Sequence, residues 1–121
     1  MLSKLTKKDL VSINKSLGET GEAKDPSQGV GSALASYHYY DTVEEQILSI
    51  ALSICNGHLF VNGNKRTALT LIRVLARHYG LTMQPDSKQF KAIIELATKG
   101  GSPKKYINKF FIKETQWKLK N

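Results

Sequence analysis

The chain has 121 residues, of which 40% are hydrophobic and 23% are charged. This length suits a single domain over residues 1–121, and the composition is too apolar for an intrinsically disordered chain. No stretch is long and apolar enough to predict a membrane-spanning helix, so we expect no membrane partner. The only cysteine, Cys55, excludes an intramolecular disulfide and favours a reducing, cytoplasmic location.

The formal net charge is +8, which predicts a surface suited to an acidic partner. The C-terminal segment carries six lysines and one acid, Glu114: the lysines are Lys104, Lys105, Lys109, Lys113, Lys118 and Lys120. Arginines and interleaved aromatic residues are few there. This argues against direct nucleic-acid binding and favours a solvated lysine face.

Apolar residues recur at helical spacing in the first part of the chain, at Leu10, Ile13 and Leu17. Thr6 opens a weak capping box before this helix, and Gly18 can end it. Residues 18–31 are rich in glycine, serine, proline and acid, which predicts an exposed loop. A short helix is expected over residues 31–38.

Two central helices are predicted from apolar runs. Thr42 and Glu45 form a capping box before a run that is apolar nearly all round and therefore buried. The second helix begins near Asn64 or Lys65, and Gly80 lies where a left-handed cap belongs. Its inward-facing side comprises Ala68, Leu71, Ile72, Leu75, Ala76 and Tyr79.

The last third of the chain predicts two further helices. One is marked by Phe90, Ile93, Ile94 and Ala97 and ended by Gly100–Gly101. The other begins at Ser102–Pro103 and directs inward Tyr106, Ile107, Phe110 and Phe111. No alternating strand pattern is present, so the sequence predicts a compact all-α domain of five to seven helices.

The joint between the two central helices is a polar loop that runs from His58 to Asn64. The first N–H groups of a helix lack internal partners and attract negative charge. Gly63 permits close approach of a ligand, and Lys65 and Arg66 add positive charge at the same end. These features predict an anion site, for which a phosphate is the natural ligand.

Phe60 is expected to insert into the core and anchor this loop. It would then hold His58 near the bound anion, where a neutral imidazole can accept a proton from a hydroxyl. An anion site, positively charged side chains and a base together suit the transfer of a phosphoryl or nucleotidyl group. On spacing alone, a polar turn without chemistry explains the same residues equally well.

The loop resembles the signature of the Fic/Doc superfamily, H-x-F-x-(D/E)-G-N-G-R, and its death-on-curing (Doc) branch, which ends N-K-R-T-A. The chain reads His58-Leu-Phe-Val-Asn-Gly-Asn-Lys-Arg-Thr-Ala68 over eleven contiguous positions. The resemblance implies a Fic-type helical fold that transfers part of a nucleotide to a protein hydroxyl. Most members transfer AMP, whereas Doc-like toxins are protein kinases that modify elongation factor Tu.

Two departures from the AMP-transferring pattern favour the kinase branch. Lys65 replaces a glycine that makes room for the phosphates, and Leu69 replaces a second arginine. The resemblance implies ATP and Mg²⁺, with His58 as general base and Phe60 as anchor. Cofactor binding is assigned to Asn62, Gly63, Asn64, Lys65 and Arg66, and Arg66 is also predicted to be catalytic.

Asn62 stands where the family has an acidic Mg²⁺ ligand, and a neutral amide binds the ion more weakly. Three interpretations are possible: the phosphates of ATP hold the Mg²⁺ ion, the enzymatic activity is reduced, or the protein is catalytically silent. AMP transfer and a silent binding module are therefore the alternatives to a kinase.

The family's inhibitory motif, (S/T)-x-x-x-E-(G/N), is absent from the sequence. A toxin without this motif requires restraint by another protein. The resemblance implies a cognate antitoxin whose C-terminal segment folds on binding, and an acidic segment would suit the net charge.

Other candidate residues have simpler explanations. His38 and His78 are expected to be surface or capping residues, and Cys55 a core residue. Arg73 and Arg77 either add to the positively charged side chains of the anion site or are solvated. Three tyrosines precede the first central helix, and they are expected either to be partly buried by packing or to cover the target peptide. They are Tyr37, Tyr39 and Tyr40.

Overall fold

The computed structural model describes residue 2 and residues 4–112. This part of the chain contains five α-helices, three short 3-10 helices and one two-stranded sheet. The prediction of an all-α domain is confirmed, because the strands have only two residues each. The predicted lysine-rich end lies partly outside the described residues, since Lys113, Glu114, Lys118 and Lys120 fall beyond them.

Helix α1 spans Lys7–Ser16, and its capping box forms as predicted. The Thr6 side chain accepts a bond from the Asp9 N–H, and the Asp9 carboxylate accepts one from the Thr6 N–H. Gly18 follows the helix with φ 89°. The predicted short helix over residues 31–38 is instead two 3-10 helices, Val30–Leu34 and Tyr37–Tyr39.

Helices α2, Val43–Asn56, and α3, Asn64–His78, form the centre of the fold. Thr42 caps α2 through the N–H of Glu45. Both helices supply most of the core, in which α2 is buried nearly all round, as the sequence predicts. Gly80 follows α3 with φ 70°, at the predicted left-handed cap.

Helix α4 spans Asp86–Lys99 and packs against both central helices. Its core-facing residues are Gln89, Ala92, Ile93 and Leu96. Phe90 and Ile94, which also mark the helix in the sequence, are about half exposed at 51% and 56%. The apolar pattern of α4 is therefore wider than the face it buries.

A 3-10 helix at Pro103–Tyr106 leads into α5, Ile107–Phe110. Strand β2, Phe111–Ile112, then pairs antiparallel with β1, Thr82–Met83. Strands this short show no alternation in the sequence, so their residue pattern predicts no strand. Within the described part of the chain, no helix combines the length and hydropathy that crossing a bilayer requires.

Candidate active site

His58 follows directly on the end of α2 with a left-handed backbone, φ 47°. Its N–H donates to the Cys55 carbonyl at 3.3 Å, and the Leu59 N–H donates to the Ile54 carbonyl at 3.1 Å. This pair of bonds is a Schellman motif, whose left-handed position is usually glycine. Among the described residues, His58 alone adopts a positive φ without being glycine. Backbone strain of this kind is concentrated at functional sites.

The loop after His58 is held by Phe60 and Asn64. The Phe60 side chain is fully buried in the core. The Asn64 side-chain oxygen accepts from the Phe60 N–H, and its amide nitrogen donates to the Phe60 carbonyl, both at 2.9 Å. These bonds close a small ring between the loop and the first residue of α3. The side chain of Asn64 therefore fixes the loop, and phosphate binding by Asn64 stays a prediction.

A second support comes from Asn14 on α1, which is 1% exposed. Its amide nitrogen donates at 3.0 Å to the Asn62 carbonyl and to the Thr67 hydroxyl. Its side-chain oxygen accepts from the Gly21 N–H at 2.9 Å. Asn14 thus joins α1, its following loop and the start of α3.

The start of α3 borders a cavity of about 290 Å³. Its lining residues are Cys55, His58, Val61, Asn62, Gly63, Asn64, Lys65, Ala97 and Thr98. Gly63 precedes α3 with φ 76°. No side chain caps the start of α3, and the first turn of α3 contains no acidic residue. The unpaired N–H groups and Lys65 give this wall a positive potential.

Arg66 lies outside the lining of this cavity. Its guanidinium donates to the Leu17 carbonyl at 2.6 Å and lies 3.5 Å from the Glu19 carboxylate. Glu19 also packs against Gly63, where an added Cβ would come within 2.8 Å of the Glu19 side chain. An acid of the protein itself therefore occupies the start of α3 beside Arg66. Phosphate binding by Arg66 stays a prediction.

The metal prediction rests on Asn62, which is exposed at the cavity. Its backbone carbonyl is bonded to Asn14, so its side-chain oxygen is the donor available to an ion. Among the described residues, no group of three or more His, Cys, Asp or Glu side chains could hold a metal. One neutral oxygen fits an ion that takes most of its ligands from phosphates.

Cys55 lines the same cavity but is 3% exposed. Burial raises the pKa of its thiol to about 12, and the positive charge of Lys65 offsets part of this rise. The thiol is therefore protonated at neutral pH and is a poor nucleophile.

The remaining candidate residues do not line this cavity. Arg73 bonds Gln89 at 2.7 Å and stacks on the Phe90 ring, with 5.5 Å between its guanidinium carbon and the ring centroid. His38 packs against the neighbouring rings of Tyr37 and Tyr39. His78 contacts the ring of Tyr79. Contacts with neighbouring rings and side chains account for these residues.

Asn14 and Glu19 are two residues of the site that were not predicted from the sequence. Asn14 interrupts the apolar face of α1, between Ile13 and Leu17, and a buried polar position in a helix is a usable signal. Glu19 carried no such signal, because its loop is acidic and rich in glycine throughout.

A comparison with protein families matches residues 4–76 to the Fic/DOC family. The match covers more than half of the 121 residues. It includes α1, α2, most of α3 and the loop of residues 58–63 between α2 and α3, which we call the motif loop. A comparison with curated proteins found no match. The helical fold agrees with the family assignment. On the strength of the matched region, the chain belongs to the Fic/DOC family, whose members are generally transferases.

Proposed function

We propose that this chain is a Doc-like toxin of a toxin–antitoxin system, acting in the cytoplasm as a protein kinase. It transfers the γ-phosphate of ATP to a hydroxyl of a translation factor, with elongation factor Tu as the expected acceptor. Translation and growth then stop. One observation carries the proposal: His58 borders a cavity whose other wall is the uncapped start of α3 with Lys65.

The phosphates of ATP are bound by the start of α3. The backbone N–H groups of its first turn and the Lys65 ammonium supply donors and positive charge. The cavity lies at the lower end of the usual size range of small-molecule sites. It suits the phosphates better than a complete nucleotide.

His58 accepts the proton of the acceptor hydroxyl. The hydroxyl oxygen then forms a bond to the γ-phosphorus, the bond from that phosphorus to the β–γ bridging oxygen breaks, and ADP leaves. The left-handed backbone and the Schellman bonds fix the backbone of His58 at the end of α2. A base on a fixed backbone needs less reorganisation during transfer.

Leu69 and Lys65 support phosphate transfer over AMP transfer. Leu69 stands where AMP-transferring relatives have a second arginine, and here its side chain is 6% exposed in the core. Lys65 fills the position at which those enzymes have glycine. The two features remove a phosphate ligand and occupy the space beside the phosphates.

Mg²⁺ would be held by the ATP phosphates with Asn62 as its protein ligand. The ion neutralises charge that develops on the phosphates during transfer. Because Asn62 supplies no charge, we expect weak binding of the ion. This feature also favours the second candidate function, a silent binding module of the same fold.

The partner that restrains this activity is proposed to be a cognate antitoxin. Its C-terminal segment folds on binding to the toxin, and an acidic sequence suits the net charge of +8.

Transfer from labelled ATP tests the proposed function. The protein is incubated with purified elongation factor Tu or with lysate and ATP labelled at the α or γ phosphate. We expect label only from the γ position and none with His58→Ala. His78→Ala is the matched control, since His78 lies away from the cavity. Expression of the wild type, but not of His58→Ala, should arrest bacterial growth.

The other outcomes separate the alternatives. Transfer from the α position would replace the kinase with an AMP-transferring enzyme. Transfer that appears only with Asn62→Asp would show that the missing carboxylate limits activity. No transfer by either protein would favour the binding module.

A further inference from the structure

His58 borders a second cavity, of about 240 Å³. The residues that line it are Asp25, Gln28, Gly29, Ser32, Ser53, Gly57, His58 and Leu59. Of the residues that the structure describes, the two cavities share only His58. His58 therefore borders two separate spaces.

The loop after α1, which lines the second cavity with Asp25, Gln28 and Gly29, is hydrogen-bonded to the motif loop. The Lys24 N–H donates to the Leu59 carbonyl at 2.9 Å, and the Val61 N–H donates to the Glu22 carbonyl at 3.1 Å. These bonds flank an antiparallel bridge between Ala23 and Phe60. Asp25 is the residue after Lys24, so this pairing fixes the position of its backbone relative to His58.

Asp25 is held as a carboxylate by its own turn. The Ser27 N–H and hydroxyl donate to one of its oxygens at 3.0 and 2.6 Å. These bonds hold the pKa of Asp25 below its usual value. The second oxygen of the carboxylate receives no bond from Ser27, and the side chain is exposed at the cavity.

The two cavities carry opposite charge. Lys65 and the start of α3 make the first attractive to phosphates, whereas the carboxylate of Asp25 repels them from the second. Among the described residues, Asp25 is the only ionisable side chain apart from His58 that lines the second cavity. A phosphate and a cationic group are thereby directed to different cavities.

We propose that the second cavity binds the acceptor protein and that Asp25 selects a lysine or arginine beside the acceptor serine or threonine. The inference rests on the proposed function, because it assumes that His58 serves a transfer reaction. The cation of the acceptor pairs with Asp25, and the neighbouring hydroxyl meets the imidazole. Asp25 acts as a specificity residue and takes no part in the chemistry.

Peptide binding followed by NMR tests this inference without nucleotide. The probes are two acetylated and amidated heptapeptides with a central threonine between two lysines or two glutamates, flanked by glycines. The net charge of +8 alone would favour the glutamate peptide. We expect the lysine peptide to bind more tightly and to shift the amide signals of Gly29, Gly57 and His58.

Asp25→Asn should weaken binding of the lysine peptide about fivefold. Asparagine can still accept the Ser27 bonds, so the turn is retained. Asp41→Asn is the matched control, because it removes the same charge at an exposed position outside the cavity. Asp25→Lys should reverse the preference to the glutamate peptide.

Tighter binding of the glutamate peptide to the wild type, or equal effects of Asp25→Asn and Asp41→Asn, would overturn the inference. Binding is measured without ATP, so its outcome is independent of the labelling experiment. Selective binding without γ-label transfer would reject the kinase and leave a cation-selective peptide site. Transfer without selective binding would reject only the role of Asp25.

Discussion

Among single residues, His58 has the most unusual backbone in the described part of the chain. It occupies the left-handed position of a Schellman motif, although Gly57, one residue earlier, lies in the right-handed region. The chain therefore places a side chain with a steric cost where glycine would be unstrained. This arrangement is expected if the imidazole is required at that point, as the proposed function assumes.

Replacing His58 by glycine and by alanine separates the strain from the chemistry. Both variants should lose transfer activity, since neither has a base. His58→Gly should be more stable than His58→Ala by about 1 kcal/mol, because only alanine retains the left-handed penalty. Urea unfolding of the two variants measures the difference. Equal stabilities would show that the backbone at this position is unstrained.

Among helices and loops, the segment after α1 has the largest effect on the site. The sequence predicted an exposed loop there, yet the loop pairs with the motif loop and brings Glu19 against Gly63. Residue patterns report the face of a helix, but they do not report which distant loop adds a short backbone pairing. The direction of Arg66 was unpredictable for the same reason, because Leu17 and Glu19 determine it.

Removing the charge of Glu19 should increase the affinity for ATP. Glu19→Gln relieves repulsion at the start of α3 and frees Arg66 from an ion pair. Since both side chains are partly exposed, we expect about a two- to fivefold tighter dissociation constant. Isothermal titration calorimetry of ATP with Mg²⁺, in the His58→Ala background, measures it.

Glu22→Gln is the control for this prediction, because it removes the same charge three residues later on an exposed side chain. An equal gain in both variants would attribute the effect to net charge. An unchanged affinity in Glu19→Gln would place the phosphates away from Arg66.

For the domain as a unit, capping and periodicity in the sequence were sufficient to predict the helical architecture. Thr6, Thr42 and Gly80 cap helices as expected, and the match to the Fic/DOC family agrees with that architecture. The 3-10 helices and the small sheet were missed, since segments of two to five residues are too short for a period to appear. The second cavity was also missed, because it forms between the loop after α1, the first 3-10 helix and the end of α2.

The stability of the domain should depend on pH through Cys55. Burial raises the pKa of the folded thiol from 9.0 to about 12, so the folded protein binds more protons than the unfolded chain between these values. The free energy of unfolding therefore falls as pH rises through this window. We expect a loss of roughly 1 kcal/mol at pH 10.

Urea unfolding at pH 7 and pH 10 compares the wild type with Cys55→Ala, which lacks the titrating thiol. The decrease in stability should be smaller in Cys55→Ala. Lysine and tyrosine side chains titrate in both proteins, so their contributions to the change in the free energy of unfolding cancel in the comparison. Parallel decreases would show that the thiol titrates normally in the folded state.

The ring that Asn64 closes with the backbone of Phe60 has a consequence for the thermodynamics of ligand binding. A loop that must be ordered by its ligand loses conformational entropy when the ligand arrives, which lowers affinity. Here two hydrogen bonds and a buried phenyl group order the loop in the free protein. Affinity for a phosphate can then arise from the helix start alone, without an entropic penalty from the loop.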